Sequence, residues 1–63
     1  MPVDAVEIKN IAENLLKEHP GTFSSEFDVN KRRVEELTDI RAHHTRNRIA
    51  GHLTRNKREE LNE

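Results

Sequence analysis

Apolar residues recur three and four positions apart at Ile8, Ile11, Ala12, Leu15 and Leu16, the spacing of a helix that turns one face to a core. The pattern predicts a first helix over about residues 5–18. Asp4 followed by Glu7 resembles a capping box, and Val3 with Ile8 has the spacing of the hydrophobic staple around it. Pro20 and Gly21 end the run, because proline cannot continue a helix and glycine favours the left-handed turn that closes one.

Phe23 and Phe27 follow in what reads as a loop, spaced to close one short turn and plug the gap between helices. A second helix is expected near residues 29–38, capped by Asp28 or Ser25. Val34 and Leu37 would face inward, with Lys31, Arg32 and Arg33 largely outward. The stretch Thr38-Asp39-Ile40-Arg41 breaks it. A third helix is expected over about residues 42–60, with Ala42, Ile49 and Leu53 on its buried stripe and Glu59 to Glu63 fraying at the end. Three helices joined by short loops imply an all-α, compact three-helix bundle occupying residues 1–63 as one domain, its second and third helices arranged like a helix-turn-helix.

Length limits how much this bundle can bury. A 63-residue chain with 32% hydrophobic residues forms one small core and no large enclosed substrate pocket. With no Trp or Tyr and only two Phe, that core rests on Ile, Leu, Val and Ala. Absence of cysteine removes disulfides, thiolate nucleophiles and thiolate zinc sites together. No apolar run approaches the roughly 20 residues that span a bilayer, and the N-terminus lacks the order of a signal peptide. A soluble, intracellular protein with no membrane partner is expected.

The formal net charge of −1 conceals a division along the chain. Residues 1–28 hold two basic against six acidic side chains, a net −4, whereas residues 29–63 hold nine basic against six acidic, a net +3. From Arg41 to Arg58 there are six bases and no acid. A run of that kind is either a solvated helix face or a surface for a polyanion.

Helical geometry favours the second reading. At about 100° per residue, His44, Arg48, Gly51, Arg55 and Arg58 fall on the side of the third helix opposite Ile49 and Leu53, with Asn47 and Thr54 flanking. Gly51 at the centre of this ridge costs roughly 1 kcal/mol relative to Ala. Without a Cβ it lets a phosphate, or a neighbouring helix, approach the backbone closely. Arg46 sits nearer the apolar flank, where pairing with an acid competes with a contact to RNA. The resulting candidate RNA-binding set is His44, Arg46, Asn47, Arg48, Gly51, Thr54, Arg55 and Arg58, joined by Lys31, Arg32 and Arg33 of the second helix. RNA backbone and shape, more than bases, would be read by such a surface.

Other chemistry fits the residues poorly. His44 and His52 lie two turns apart on one helix with no Cys or well-placed carboxylate, so no metal site is expected. Ser24, Ser25 and Asp28 serve better as turn and cap residues than as parts of a catalytic triad. No phosphate-binding loop or dinucleotide fingerprint occurs. Neither enzyme activity, nor a cofactor, nor a small-molecule substrate is expected.

Two segments, Phe27-Asp28-Val29-Asn30-Lys31-Arg32-Arg33-Val34-Glu35-Glu36-Leu37-Thr38 and Arg46-Asn47-Arg48-Ile49-Ala50-Gly51-His52-Leu53-Thr54-Arg55, resemble the archaeal and eukaryotic small-subunit ribosomal protein family seventeen-e. Ile8-Lys9 and His19-Pro20 extend the likeness over about residues 8–57, and the length resembles the short archaeal form. The resemblance implies a helical bundle bound to ribosomal RNA in the small-subunit head of the cytoplasmic ribosome. It would be a structural component there, beside neighbouring small-subunit proteins and monomeric when free. It also places Arg46, Asn47, Arg48, Gly51 and Arg55 in the family's signature segment. The chain departs from the family at Asn10, Glu13, Ala42, His43, Thr45 and His52, and loses basic character on the first helix. A salt-rich cytoplasm accounts for such changes. So does a diverged paralogue acting as a helix-turn-helix-like DNA-binding or protein-interaction module.

Overall fold

A computed structural model describes residues 4–61, with the side chain of residue 61 excepted. It contains three helices, α1 (Ala5–Glu18), α2 (Phe27–Leu37) and α3 (His43–Leu61), and no strand among the described residues. α3 is the axis of the fold. Both α1 and α2 pack against it, and their backbones do not meet each other. The core between them is built from Ile8, Ala12 and Leu15 of α1, Phe23 of the first connection, Val34 of α2, and Ile49 and Leu53 of α3. Ile11, Leu16 and Ile40 close its edges.

α1 has the expected bounds, because the signals that set them are local. The Asp4 carboxylate accepts the Glu7 backbone N–H at 2.8 Å, satisfying one of the orphan donors of the first turn. At the other end the His19 N–H donates to the Leu15 carbonyl, and Gly21 turns the chain with φ of 82°. Val3, the other half of the expected staple, lies outside the described residues.

α2 departs from the expected pattern at both ends. It begins at Phe27, two residues early, with Glu26 at the N-cap and no side-chain cap from Ser25 or Asp28. The organising group is Asn30, whose side chain is completely buried. Its Oδ1 accepts the Ser24 N–H at 2.9 Å, and its Nδ2 donates to the Ser24 carbonyl at 2.7 Å and to Thr54 Oγ1 at 2.8 Å. The Ser24 hydroxyl accepts the Glu26 N–H at 3.1 Å. The turn before α2 is therefore held by a residue inside the helix, not by a cap in front of it.

With the helix starting at Phe27, that ring leaves the loop and reaches the rim, 36% exposed, so that of the two phenylalanines only Phe23 plugs the core. Leu37, expected inward, is also 37% exposed, because α2 ends there. Thr38 supplies the stop. Its backbone is extended, its hydroxyl donates back to the Val34 carbonyl at 2.7 Å, and the same oxygen accepts the Ile40 N–H at 3.3 Å.

α3 starts one residue later than expected. Ala42 stands exposed ahead of it, its carbonyl accepting the Arg46 N–H. Because α3 receives a helix on each of two sides, its buried arc is wider than Ile49 and Leu53, and takes in Ala50, Arg46 and Thr54 as well. Glu59 and Glu60, expected to fray, remain helical.

Two substitutions test this core. Ile49→Ala removes a fully buried side chain at the junction of all three elements and is expected to cost about 2 to 5 kcal/mol in urea unfolding. Asn30→Ala deprives the Ser24 backbone and the Thr54 hydroxyl of their partners and is expected to cost about 2 to 3 kcal/mol. A melting curve unchanged by Asn30→Ala would show that the network is incidental.

Candidate nucleic-acid interface

The arc of α3 left uncovered by α1 and α2 carries His44, Arg48, Arg55 and Arg58, all exposed, with half-buried Gly51 at its centre. Packing selects this arc, since the apolar and small residues of α3 are consumed by two partner helices and the charged ones remain. The four side chains follow one another along the helix, and the rise of about 1.5 Å per residue places His44 to Arg58 on a strip about 21 Å long. Asn47 is exposed beside Arg48.

Among the described residues Arg48 and Arg58 have no carboxylate at ion-pair distance, while Arg55 Nε lies 3.5 Å from Glu59 in a pair whose members are 80% and 67% exposed. A pair so open to water is worth little and yields readily to a stronger anion. Lys57, on the flank, pairs with Glu60 at 3.2 Å.

Two of the expected contacts are placed elsewhere. Thr54 is 5% exposed, accepts the Asn30 amide and donates to the Ala50 carbonyl at 2.8 Å, so its hydroxyl belongs to the core. Arg46 is 9% exposed and its guanidinium pairs with Glu35 of α2. The same guanidinium donates to Asn47 Oδ1 at 3.1 and 3.2 Å from its other nitrogens. Arg46 thus ties α3 to α2, and Asn47 is partly engaged in holding it. Lys31, Arg32 and Arg33 lie on α2, apart from the ridge in sequence. Arg32 and Arg33 are exposed, Arg33 pairs with Glu36 at 3.1 Å, and Lys31 is half-buried near Asp28 at 4.0 Å.

Gly51 has a decisive geometry. A Cβ built on it meets nothing within 4 Å, so close packing inside this chain does not require glycine there. Shallow grooves run along both sides of it. One, of about 260 Å³, lies towards α1 and is lined by Ala5, Ile8, Arg48, His52 and Arg55. The other, of about 420 Å³, lies towards the start of α2 and is lined by Phe27, Thr54, Arg55, Arg58 and Glu59. Gly51 and Arg55 line both. The bare backbone between two clefts is a surface into which a partner can settle, rimmed by guanidinium groups.

Among the described residues no group of three or more His, Asp or Glu side chains converges on a point, and no helix is long and apolar enough to cross a membrane.

The sequence pattern of the family described as Ribosomal S17 matches residues 2–60. The chain belongs to this family. Relatives named small ribosomal subunit protein eS17 include that of Haloquadratum walsbyi, 40% identical over 57 residues that make up 90% of this chain and 85% of the relative. Those of Methanobrevibacter smithii and Methanocella arvoryzae are 42% and 44% identical, each over 48 residues covering 76% of this chain and 74% of theirs. Membership in the S17e family agrees with the resemblance drawn from the two quoted segments, and those segments supply α2 and the ridge of α3. Asn30, the residue that joins them, was not marked by any sequence signal for function. A polar residue on an otherwise amphipathic helix reads as exposed until its partners are known.

Gly51→Ala is expected to raise stability by up to about 1 kcal/mol, the helix propensity that glycine forgoes, since the added methyl enters open space. Urea unfolding of the variant checks this, and a loss of stability would reveal a packing constraint at Gly51.

Proposed function

We propose that this chain is a structural constituent of the small ribosomal subunit in the cytoplasm and binds ribosomal RNA through the exposed ridge of α3. Arg48, Gly51, Arg55 and Arg58 form the centre of the contact, with His44 and Asn47 extending it. The observation that carries the reading is Gly51. A glycine in mid-helix, with no neighbour inside the chain that excludes a side chain, is accounted for by close approach of an outside partner. The arginines beside it make that partner an anion.

Phosphate groups of an RNA backbone suit this arrangement. Arg48 and Arg58 are not neutralised by carboxylates among the described residues, and Arg55 can exchange its exposed partner Glu59 for a phosphate. Arg46 and Thr54 act indirectly, by fixing α3 against α2. Arg32 and Arg33 offer a secondary, electrostatic contribution from α2, and Lys31 a smaller one. Neighbouring small-subunit proteins would cover other surfaces, and the free protein would be monomeric.

Sedimentation of a lysate prepared at native salt tests the assembly. The chain is expected to travel with small subunits at about one copy each, and its absence from them would reject the ribosomal role. For the contact face, Arg48→Ala together with Arg55→Ala is expected to lower RNA affinity and to flatten its dependence on salt by about two counterions, with folding unchanged. Gly51→Ala should weaken binding while it stabilises the fold. An unaltered salt slope in the double variant would remove the ridge from the interface.

A further inference from the structure

The groove between α3 and the start of α2 has a feature that phosphate binding does not use, the ring of Phe27. A phenylalanine 36% exposed at the rim of a small domain leaves apolar surface in water, and here the ring lines a shallow groove. Gly51 lines the groove without contributing a side chain, and Arg55 and Arg58 line it too. Lys31 Nζ lies over one face of the ring, 5.7 Å from its centre, so a third cationic group flanks the aromatic one and a base would take the other face. The ring belongs to the first turn of α2, whose position on α3 is fixed by the buried Asn30–Thr54 hydrogen bond. It is therefore a positioned group and not a side chain on a loose end.

We infer that this groove receives one unpaired nucleotide of the RNA, its base against the Phe27 ring and its flanking phosphates on Arg55, Arg58 and Lys31. This rests on the reading of the α3 ridge as an RNA-binding face and adds to it the kind of RNA feature recognised there. Each part of the cleft matches a part of a nucleotide. A base extruded from a helix presents an apolar face that stacks on an aromatic ring or a guanidinium plane, and its phosphates need cations within one residue's reach on either side. Glu59, which also lines the groove, opposes a phosphate once Arg55 leaves it for the RNA, and does so weakly because it stands largely in water. Recognition of this type is indifferent to base identity, because every base has a face to stack. It selects a local shape, a bulge or a loop next to a duplex, with the duplex lying along Arg48 and His44.

Two RNA hairpins with the same stem separate the possibilities, one fully paired and one carrying a single unpaired 2-aminopurine nucleotide in the stem. The full chain is expected to bind the bulged hairpin about tenfold more tightly and to quench its 2-aminopurine fluorescence, as one stacked base would. Phe27→Leu keeps apolar volume and removes the aromatic face. It should abolish both the preference and the quenching, leave affinity for the paired hairpin unchanged, and retain the circular dichroism of the parent. Phe27→Trp should restore both. Retention of the bulge preference in Phe27→Leu, or its absence from the parent, would overturn the inference and leave the groove to a side chain of a neighbouring protein. Arg48→Ala distinguishes this failure from failure of the ridge. It should weaken binding of both hairpins alike, so an unaffected affinity in that variant would reject the ridge while the Phe27 site is judged by its own variants. No binding of either hairpin by the parent chain would overturn both.

Discussion

The buried amide of Asn30 is the constraint on which the arrangement of this domain depends. In one side chain it joins the turn before α2, α2 itself and α3, using both its oxygen and its nitrogen. Apolar contacts are tolerant of sliding, since one aliphatic side chain substitutes for another at modest cost. Hydrogen bonds inside a core are not, because a shift of one residue would strand a donor or an acceptor away from water. No buried side-chain nitrogen or oxygen lacks a partner among the described residues. The network therefore fixes the register of α2 on α3, and with it the position of Phe27 and the edge of the groove beside Gly51. The Arg46–Glu35 pair reinforces the same junction from the other end of α2.

The basic surface follows from this arrangement by subtraction. α3 is a charged helix flanked on two sides, and its buried residues occupy the arc that α1 and α2 require. What remains is a strip of arginines interrupted by one glycine. The acidic residues of the first 28 positions do not enter that strip, although α1 borders it through Ala5 and Ile8. The chain's small net charge is thus a poor guide to its electrostatics, since opposite charges are sorted onto different surfaces before they can cancel.

How far the sequence discloses this depends on how local each signal is. α1 is legible to the residue because the cap at Asp4, the apolar stripe and the break at Pro20-Gly21 all lie within it. The direction of the Arg48, Gly51 and Arg55 strip is legible because helical periodicity alone places it opposite Ile49 and Leu53. α2 is less so. Its first turn is organised by Asn30, and Ser24 and Thr54, the two residues Asn30 bonds, lie 6 and 24 positions away. No pattern in the immediate neighbourhood indicates that the helix begins at Phe27. The inward placement of Thr54 is not legible for a related reason, as the width of a buried arc depends on how many helices pack against it, whereas the position of Arg46 near the apolar flank already offers pairing with an acid as one of its two readings. The two quoted segments do identify the family, and their likeness spans these positions without disclosing the hydrogen bonds that connect them.

That the backbones of α1 and α2 each approach α3 but not each other bears on cooperativity. α2 is bonded to α3 by an amide and an ion pair, whereas the attachment of α1 rests on the apolar side chains of Ile8, Ala12 and Leu15. The two docking events share a helix and an apolar core but no backbone contact. Opening of α1 would expose part of that core while leaving the α2–α3 pair and its arginine strip in register. Local opening of the domain is therefore expected to begin at α1, the helix held by apolar burial alone, before the hydrogen-bonded α2–α3 pair gives way.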